Sequence, residues 1–161
     1  MKQHLSSDRF QYAFCDTFPG DHSGSRKPRQ TPGVLYSEAM PTPVAQPALL
    51  AWSDKLADEL RIEALNADDI KLLGGNLLTP LMKPYALCYA GHQFGNWAGQ
   101  LGDGRAICLG EWPVGGRSDG SWEVQLKGAG PTAYSRRADG RAVLRSSVRE
   151  YLMSEAMHYL G

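Results

Sequence analysis

Apolar and polar positions alternate over 122-WEVQLKG-128, with Trp122, Val124 and Leu126 on one face and Glu123, Gln125 and Lys127 on the other. A period of two marks a half-buried strand. Two apolar runs upstream, 85-YALCYA-90 and 105-RAICLGEW-112, also predict strands. The link 113-PVGGRSDGS-121 is made of turn residues and predicts a hairpin with a long loop. Over 143-VLRSSVREYLMSEAMHYLG-161 the period becomes helical. Leu144, Val148, Tyr151 or Leu152, and Glu155 and Ala156 step round one face, and Gly161 fits a C-cap. Glu150, Met153 and Met157 share a second face, which predicts a helix contacted on both sides.

The first half of the chain has a different texture. Residues 19-PGDHSGSRKPRQTPG-33 predict an extended arm or linker. Residues 36–60 begin extended, punctuated by Pro41, Pro43 and Pro47, and turn helical from Pro47. Proline in the first helical turn costs little, because its missing N–H would have no partner there. A short helix is predicted over 67-ADDIKLLGG-75, stopped by Gly74 and Gly75.

Composition narrows the function classes. Lysine plus arginine balances aspartate plus glutamate at 17 each in 161 residues. A sequence-independent grip on nucleic acid needs a basic surplus, and so does a polybasic membrane patch. Neither partner is expected. The N-terminus lacks an apolar signal core, and there is no apolar run of membrane-spanning length. Cys15, Cys88 and Cys108 stand far apart, and His4, His22, His92 and His158 show no ligand spacing. Reduced thiols, a cytoplasmic location and no metal site within these residues are the expectation.

The order of elements then matters: strand, glycine-rich stretch, strand, turn, strand ending in a lysine, loop, helix with a glutamate. The stretch 99-GQLGDGRAICLGE-111 reads equally as a phosphate cradle or a tight turn. Lys127 could reach nucleotide phosphates from a rigid strand, or simply face solvent. Glu150 could hold that lysine's ammonium, the pairing that the kinase fold uses. Alternatively it closes a capping box with Ser147. In 134-YSRRADGR-141, Asp139 and Gly140 stand beside three arginines, a loop suited to phosphate or ribose or merely to solvent. Two decoys fail. Residues 128-GAGPTA-133 mimic a dinucleotide fingerprint, but Pro131 and the polar run that follows do not open a helix. No GxxxxGK[ST] is present.

Residues 89-YAGHQFGNWAGQLGDGRA-106, 125-QLKGAGPTAYSRRADGRAVLRSSVREYLMSEAMHYLG-161 and 31-TPGVLYSEAMPTPVAQPALLAWS-53 closely resemble the selenoprotein O family, a likeness running from about residue 10 to Gly161. The resemblance implies an α+β fold, the N-terminal lobe of a protein-kinase-like fold with an antiparallel sheet and a glutamate-bearing helix. It places an N-terminal arm with helices at 1–84 and the nucleotide-binding lobe at 85–161. It implies a protein adenylyltransferase, in which ATP lies flipped so that AMP passes to Ser, Thr or Tyr hydroxyls of protein substrates and pyrophosphate leaves. The other readings are a kinase transferring the γ-phosphoryl and a nucleotide-binding pseudoenzyme fragment.

The family's contacts carry over onto matching positions. Gly102, Gly104 and Arg105 correspond to the glycine-loop contacts, Lys127 to the nucleotide-binding lysine, Glu150 to its ion-pair partner, and Asp139 and Gly140 to a further nucleotide-contacting pair. The resemblance places the catalytic-base aspartate, the ligands for Mg²⁺ or Mn²⁺ and further arginines downstream of Gly161. By this reading the chain is a truncated N-lobe without its catalytic C-lobe. It is then expected to be inactive alone, to leave an apolar surface uncovered, and to fold weakly or self-associate.

Overall fold

The computed structural model describes residues 1–115 and 120–161. Its helices are α1 (Ala13–Thr17), α2 (Asp54–Glu59), α3 (Ala67–Leu73) and α4 (Leu144–Leu160). Its strands are β1 (Gly20–Asp21), β2 (Tyr36–Glu38), β3 (Tyr85–Gln93), β4 (Asn96–Gly102), β5 (Ala106–Pro113) and β6 (Ser121–Lys127). The architecture is mixed α+β. The sheet runs β1-β2-β3-β5-β6 with β4 added to β3, and every pairing but β1–β2 is antiparallel.

The hairpin of β5 and β6 forms as the pattern predicts, in register from Ala106↔Lys127 to Pro113↔Ser121. Part of its turn-rich link, 116–119, lies outside the described residues. β3 runs on to Gln93, and β4 is an addition that alternation does not foreshadow, since NWAGQLG carries two glycines and no period. The strand forms because Phe94 and Gly95, at φ 52° and 80°, make a tight turn that lays it back on β3. The register between the two slips at Ala90/His92, which bends β3. Its first half can then pair with β2 and β5 while its second half pairs with β4.

β5 lies inside the sheet, between β3 and β6, and both its faces are covered. Ile107, Leu109 and Trp112 point into one cluster with Leu5, Ala57, Ile62, Leu72, Ala86 and Leu126. Cys108 packs on the other face with Tyr36 and Tyr85. The Trp112 indole N–H donates to the Leu60 carbonyl at 2.9 Å, which satisfies the one polar atom of a fully buried ring. Residues 1–84 thus supply core side chains as well as strands β1 and β2.

The helices depart from expectation twice, since the sequence pattern does not foreshadow α1 and α2 starts late. α2 begins at Asp54 rather than near Pro47, because the Ser53 hydroxyl caps it by accepting the Leu56 N–H, and residues 47–52 stay non-helical. α3 forms as predicted. Asn66 and Asp69 close a capping box, and the fully buried Asp69 carboxylate also accepts the Ser6 N–H at 2.7 Å and bonds the His4 ring at 2.9 Å. α4 begins at Leu144 with Val143 as N-cap, which places Glu150 well inside the helix. The capping-box alternative for Glu150 is therefore excluded. None of α4's residues is buried, and Leu144, Val148, Leu152, Met153 and Met157 all stand exposed.

Candidate functional site

The β3–β4 hairpin, the turn from β4 to β5, the end of β6 and the loop 128–143 surround a cleft of about 850 Å³. The turn at 103–105 is held from behind. The Thr132 hydroxyl donates to the Asp103 carbonyl at 2.7 Å, and the Ser135 hydroxyl donates to the Gly104 carbonyl. Tyr134, between them, lies against Gly102.

This packing explains the glycines. A Cβ on Gly102 would run into the Tyr134 ring and stand 2.7 Å from the Leu87 carbonyl, and one on Gly104 would stand 2.8 Å from the Tyr134 carbonyl. Neither glycine has a positive φ. The need is for close approach by the protein's own loop, rather than for a special backbone conformation. Gly140 is constrained on both counts, with φ 70° and the Gly130–Pro131 backbone filling the space a Cβ would take.

Of the residues singled out from sequence, Gly102, Gly104, Arg105, Lys127 and Gly140 line the cleft. Glu150 reaches its edge from α4, with Lys127 Nζ 2.8 Å from its carboxylate. Lys127 and Glu150 are 46% and 48% exposed, so the pair is solvated. The Lys127 hydrogen bond, and after it the charges of Lys127 and Arg105, hold the Glu150 carboxyl below the usual range. Asp139 does not line the cleft. Its carboxylate accepts the Arg141 N–H at 2.9 Å, which fixes the turn before Gly140.

Four cleft features escape sequence reasoning. Tyr134 is buried in a polar loop, with its hydroxyl 2.7 Å from Ser37 Oγ. Asp103 carries a carboxyl pushed up by burial, against the downward pull of the Leu87 N–H and Lys127. The segment 28–30, expected to be a free arm, forms a wall. Gln100 pins it, accepting the Thr31 N–H at 2.7 Å and donating to the Arg29 carbonyl at 2.9 Å. Arg136 lines the cleft from a left-handed backbone position at φ 56°. An aromatic inside a Ser/Arg/Gly loop was the one available hint, at Tyr134.

The cleft can hold an anion. Arg105, Lys127 and Arg136 face it alongside glycine backbone, and its size suits a nucleotide-sized ligand. Among the described residues no group of three or more His, Cys, Asp or Glu gathers to hold a metal ion. Asp103, the carboxylate among the lining residues, already accepts from the Leu87 N–H and the Gln125 amide. The residues present therefore do not make a metal site.

Residues 27–161 match the family described as Protein adenylyltransferase SelO. The chain is 62% identical over 159 residues to a protein of Cytophaga hutchinsonii described as Protein nucleotidyltransferase YdiU, covering 99% of this chain and 30% of that protein. Proteins of the same description from Aromatoleum aromaticum and Nitrosospira multiformis are 58% identical over 154 residues and 53% identical over 160. Those alignments cover 92% and 98% of this chain, and 29% and 28% of the relatives. The chain thus spans about 30% of the length of the curated relatives it matches.

Proposed function

The chain belongs to the SelO family of protein adenylyltransferases, and on that premise we propose that it carries the ATP-binding half of an enzyme that transfers AMP to protein hydroxyls. The observation that carries this reading is the 2.8 Å pairing of Lys127 with Glu150 beside the turn that holds Gly102, Gly104 and Arg105. A strand lysine steadied by a helix glutamate next to a glycine-bearing turn is the arrangement kinase-like N-lobes use to hold phosphates. We assign the segment to that fold.

In the reaction, an acceptor Ser, Thr or Tyr oxygen bonds to the α-phosphorus. The bond from that phosphorus to the α–β bridging oxygen breaks, and pyrophosphate leaves. The hydroxyl proton goes to a carboxylate that we place outside the residues described. Arg105 and Lys127 neutralise phosphate charge, and the glycine backbone lets the nucleotide lie close. Mg²⁺ or Mn²⁺ would add charge neutralisation, and we place its ligands outside these residues. No helix among the described residues is long and apolar enough to cross a membrane. The three free cysteines support a reducing, cytoplasmic setting.

The test uses the full-length gene product with ATP labelled at the α or the γ position. Label from the α position should remain on acceptor protein, and label from the γ position should leave with pyrophosphate. Transfer of the γ label would instead establish a kinase. Binding of ATP without either transfer would establish a nucleotide-binding pseudoenzyme.

A further inference from the structure

Five cationic side chains border the cleft: Arg29, Arg105, Lys127, Arg136 and Arg141. Their partners separate them. Arg29 is committed to its own loop, donating to Asp21, Ser23 Oγ and the carbonyls of Ser25 and Lys27. Arg141 donates to the carbonyls of Gly128 and Pro43, both at 3.3 Å. Lys127 faces Glu150. Arg105 and Arg136 have no carboxylate partner among the described residues.

Arg136 donates instead to a neutral acceptor, Gln93 Oε1, at 3.2 Å. That bond joins the loop 128–143 to the end of β3. The Arg136 backbone sits at φ 56°, a region that residues with a Cβ avoid. It is kept there because Thr132 and Ser135, just before it, are bonded to the 103–104 turn. Backbone held off its preferred region by surrounding bonds tends to mark ligand sites.

We infer that Arg136 is a second guanidinium for the polyphosphate of the bound nucleotide, parked on Gln93 until the anion displaces that amide. A phosphate carries the opposite charge and can take a guanidinium in a bidentate fork, which a single neutral amide oxygen cannot, so the exchange favours the ligand. The loop 134–141 offers three arginines, and the structure distinguishes them. Arg137 does not line the cleft, Arg141 is committed to main-chain carbonyls, and Arg136 is available. This inference rests on the nucleotide reading above.

The test measures ATP, ADP and adenosine binding to the full-length gene product by calorimetry. Arg136→Gly suits the left-handed backbone and removes the side chain with its guanidinium, so its melting temperature should hold or rise. It should weaken ATP and ADP by about tenfold or more and leave adenosine unchanged. Arg136→Lys should fall between the two, and Arg137→Gly should match the wild type. If Arg136→Gly binds ATP like the wild type while Lys127→Ala weakens it, the inference fails and the nucleotide reading stands. Equal weakening for adenosine and ATP also overturns it, since Arg136 would then only shape the cleft. A wild type that binds no ATP sinks both.

Discussion

Lys127 Nζ and a Glu150 carboxylate oxygen stand 2.8 Å apart, with nearly half of each side chain open to water. Solvated ion pairs contribute little to folding, because water competes for both charges and ordering two long side chains costs entropy. The pair is therefore expected to matter for the ligand rather than for the fold. Single alanine substitutions at Lys127 and Glu150 should move the melting temperature little, and their coupling in a double-mutant cycle should shrink further in high salt. ATP affinity should fall sharply in both. A large stability coupling that persists in high salt would show a buried pair.

Acid should reveal Asp69. Its carboxylate is fully buried and holds the Asn66 and Ser6 N–H groups and the His4 ring. Burial alone would raise its pKa, but those bonds together pull it below the usual aspartate range. A depressed folded-state value means stability that is present above the unfolded pKa and lost as pH falls through the folded one. Melting temperature should therefore drop as pH falls below about 4, and Asp69→Asn should show a weaker drop in that window. At neutral pH, Asp69→Ala should cost roughly 2–4 kcal/mol by chemical denaturation, because it orphans buried donors. Identical pH profiles for the wild type and Asp69→Asn would refute the assignment.

Three glycine-to-alanine changes should fall into two groups. At Gly102 and Gly104 the new methyl meets Tyr134 or main chain, and a loss of about 1–3 kcal/mol with a disturbed cleft is expected. At Gly91 the nearest neighbour would be a Leu101 methyl at 3.6 Å and φ is not positive, so the change should stay within about 0.5 kcal/mol. Thermal and urea melts decide it. A destabilised Gly91→Ala beside a wild-type-like Gly102→Ala would reverse the argument.

Two cysteines should resist alkylation. Burial pushes the Cys108 thiol up to about 12 and the Cys15 thiol up to about 11. The thiolate is the reactive form, so at pH 8 both should label with iodoacetamide only after denaturant is added. Peptide mapping of the native protein would expose the error if Cys108 were modified as fast as in the unfolded chain.

Local pattern made part of this molecule legible. Alternation over 122–127 marked β6, and turn residues over 113–121 marked its hairpin. Gly74 and Gly75 marked the end of α3, while the Asn66–Asp69 capping box that sets its start emerged from the structure. The start of α2 was obscured because Pro47 and Ser53 both offer a helix start, and the Ser53 hydroxyl, with a donor to accept, sets it. β4 was obscured because its pairing comes from a turn and a bent partner, not from its own composition.

At the cleft the division is similar. The order of elements drew attention to the 99–111 stretch and left Lys127 and Glu150 each open between two roles, and the family resemblance then singled out Gly102, Gly104 and Arg105. Only the tertiary structure excluded the helix-capping role, by starting α4 at Leu144 and setting Glu150 against Lys127. It also showed that Gly102 and Gly104 make room for Tyr134, that segment 28–30 is a wall, and that of three neighbouring arginines Arg136 lines the cleft on a neutral amide acceptor. Periodicity and capping act within a few residues and are written in the local sequence. Which cation keeps a partner, and which glycine has a neighbour, depends on chain segments many residues apart, and those meet only in the fold.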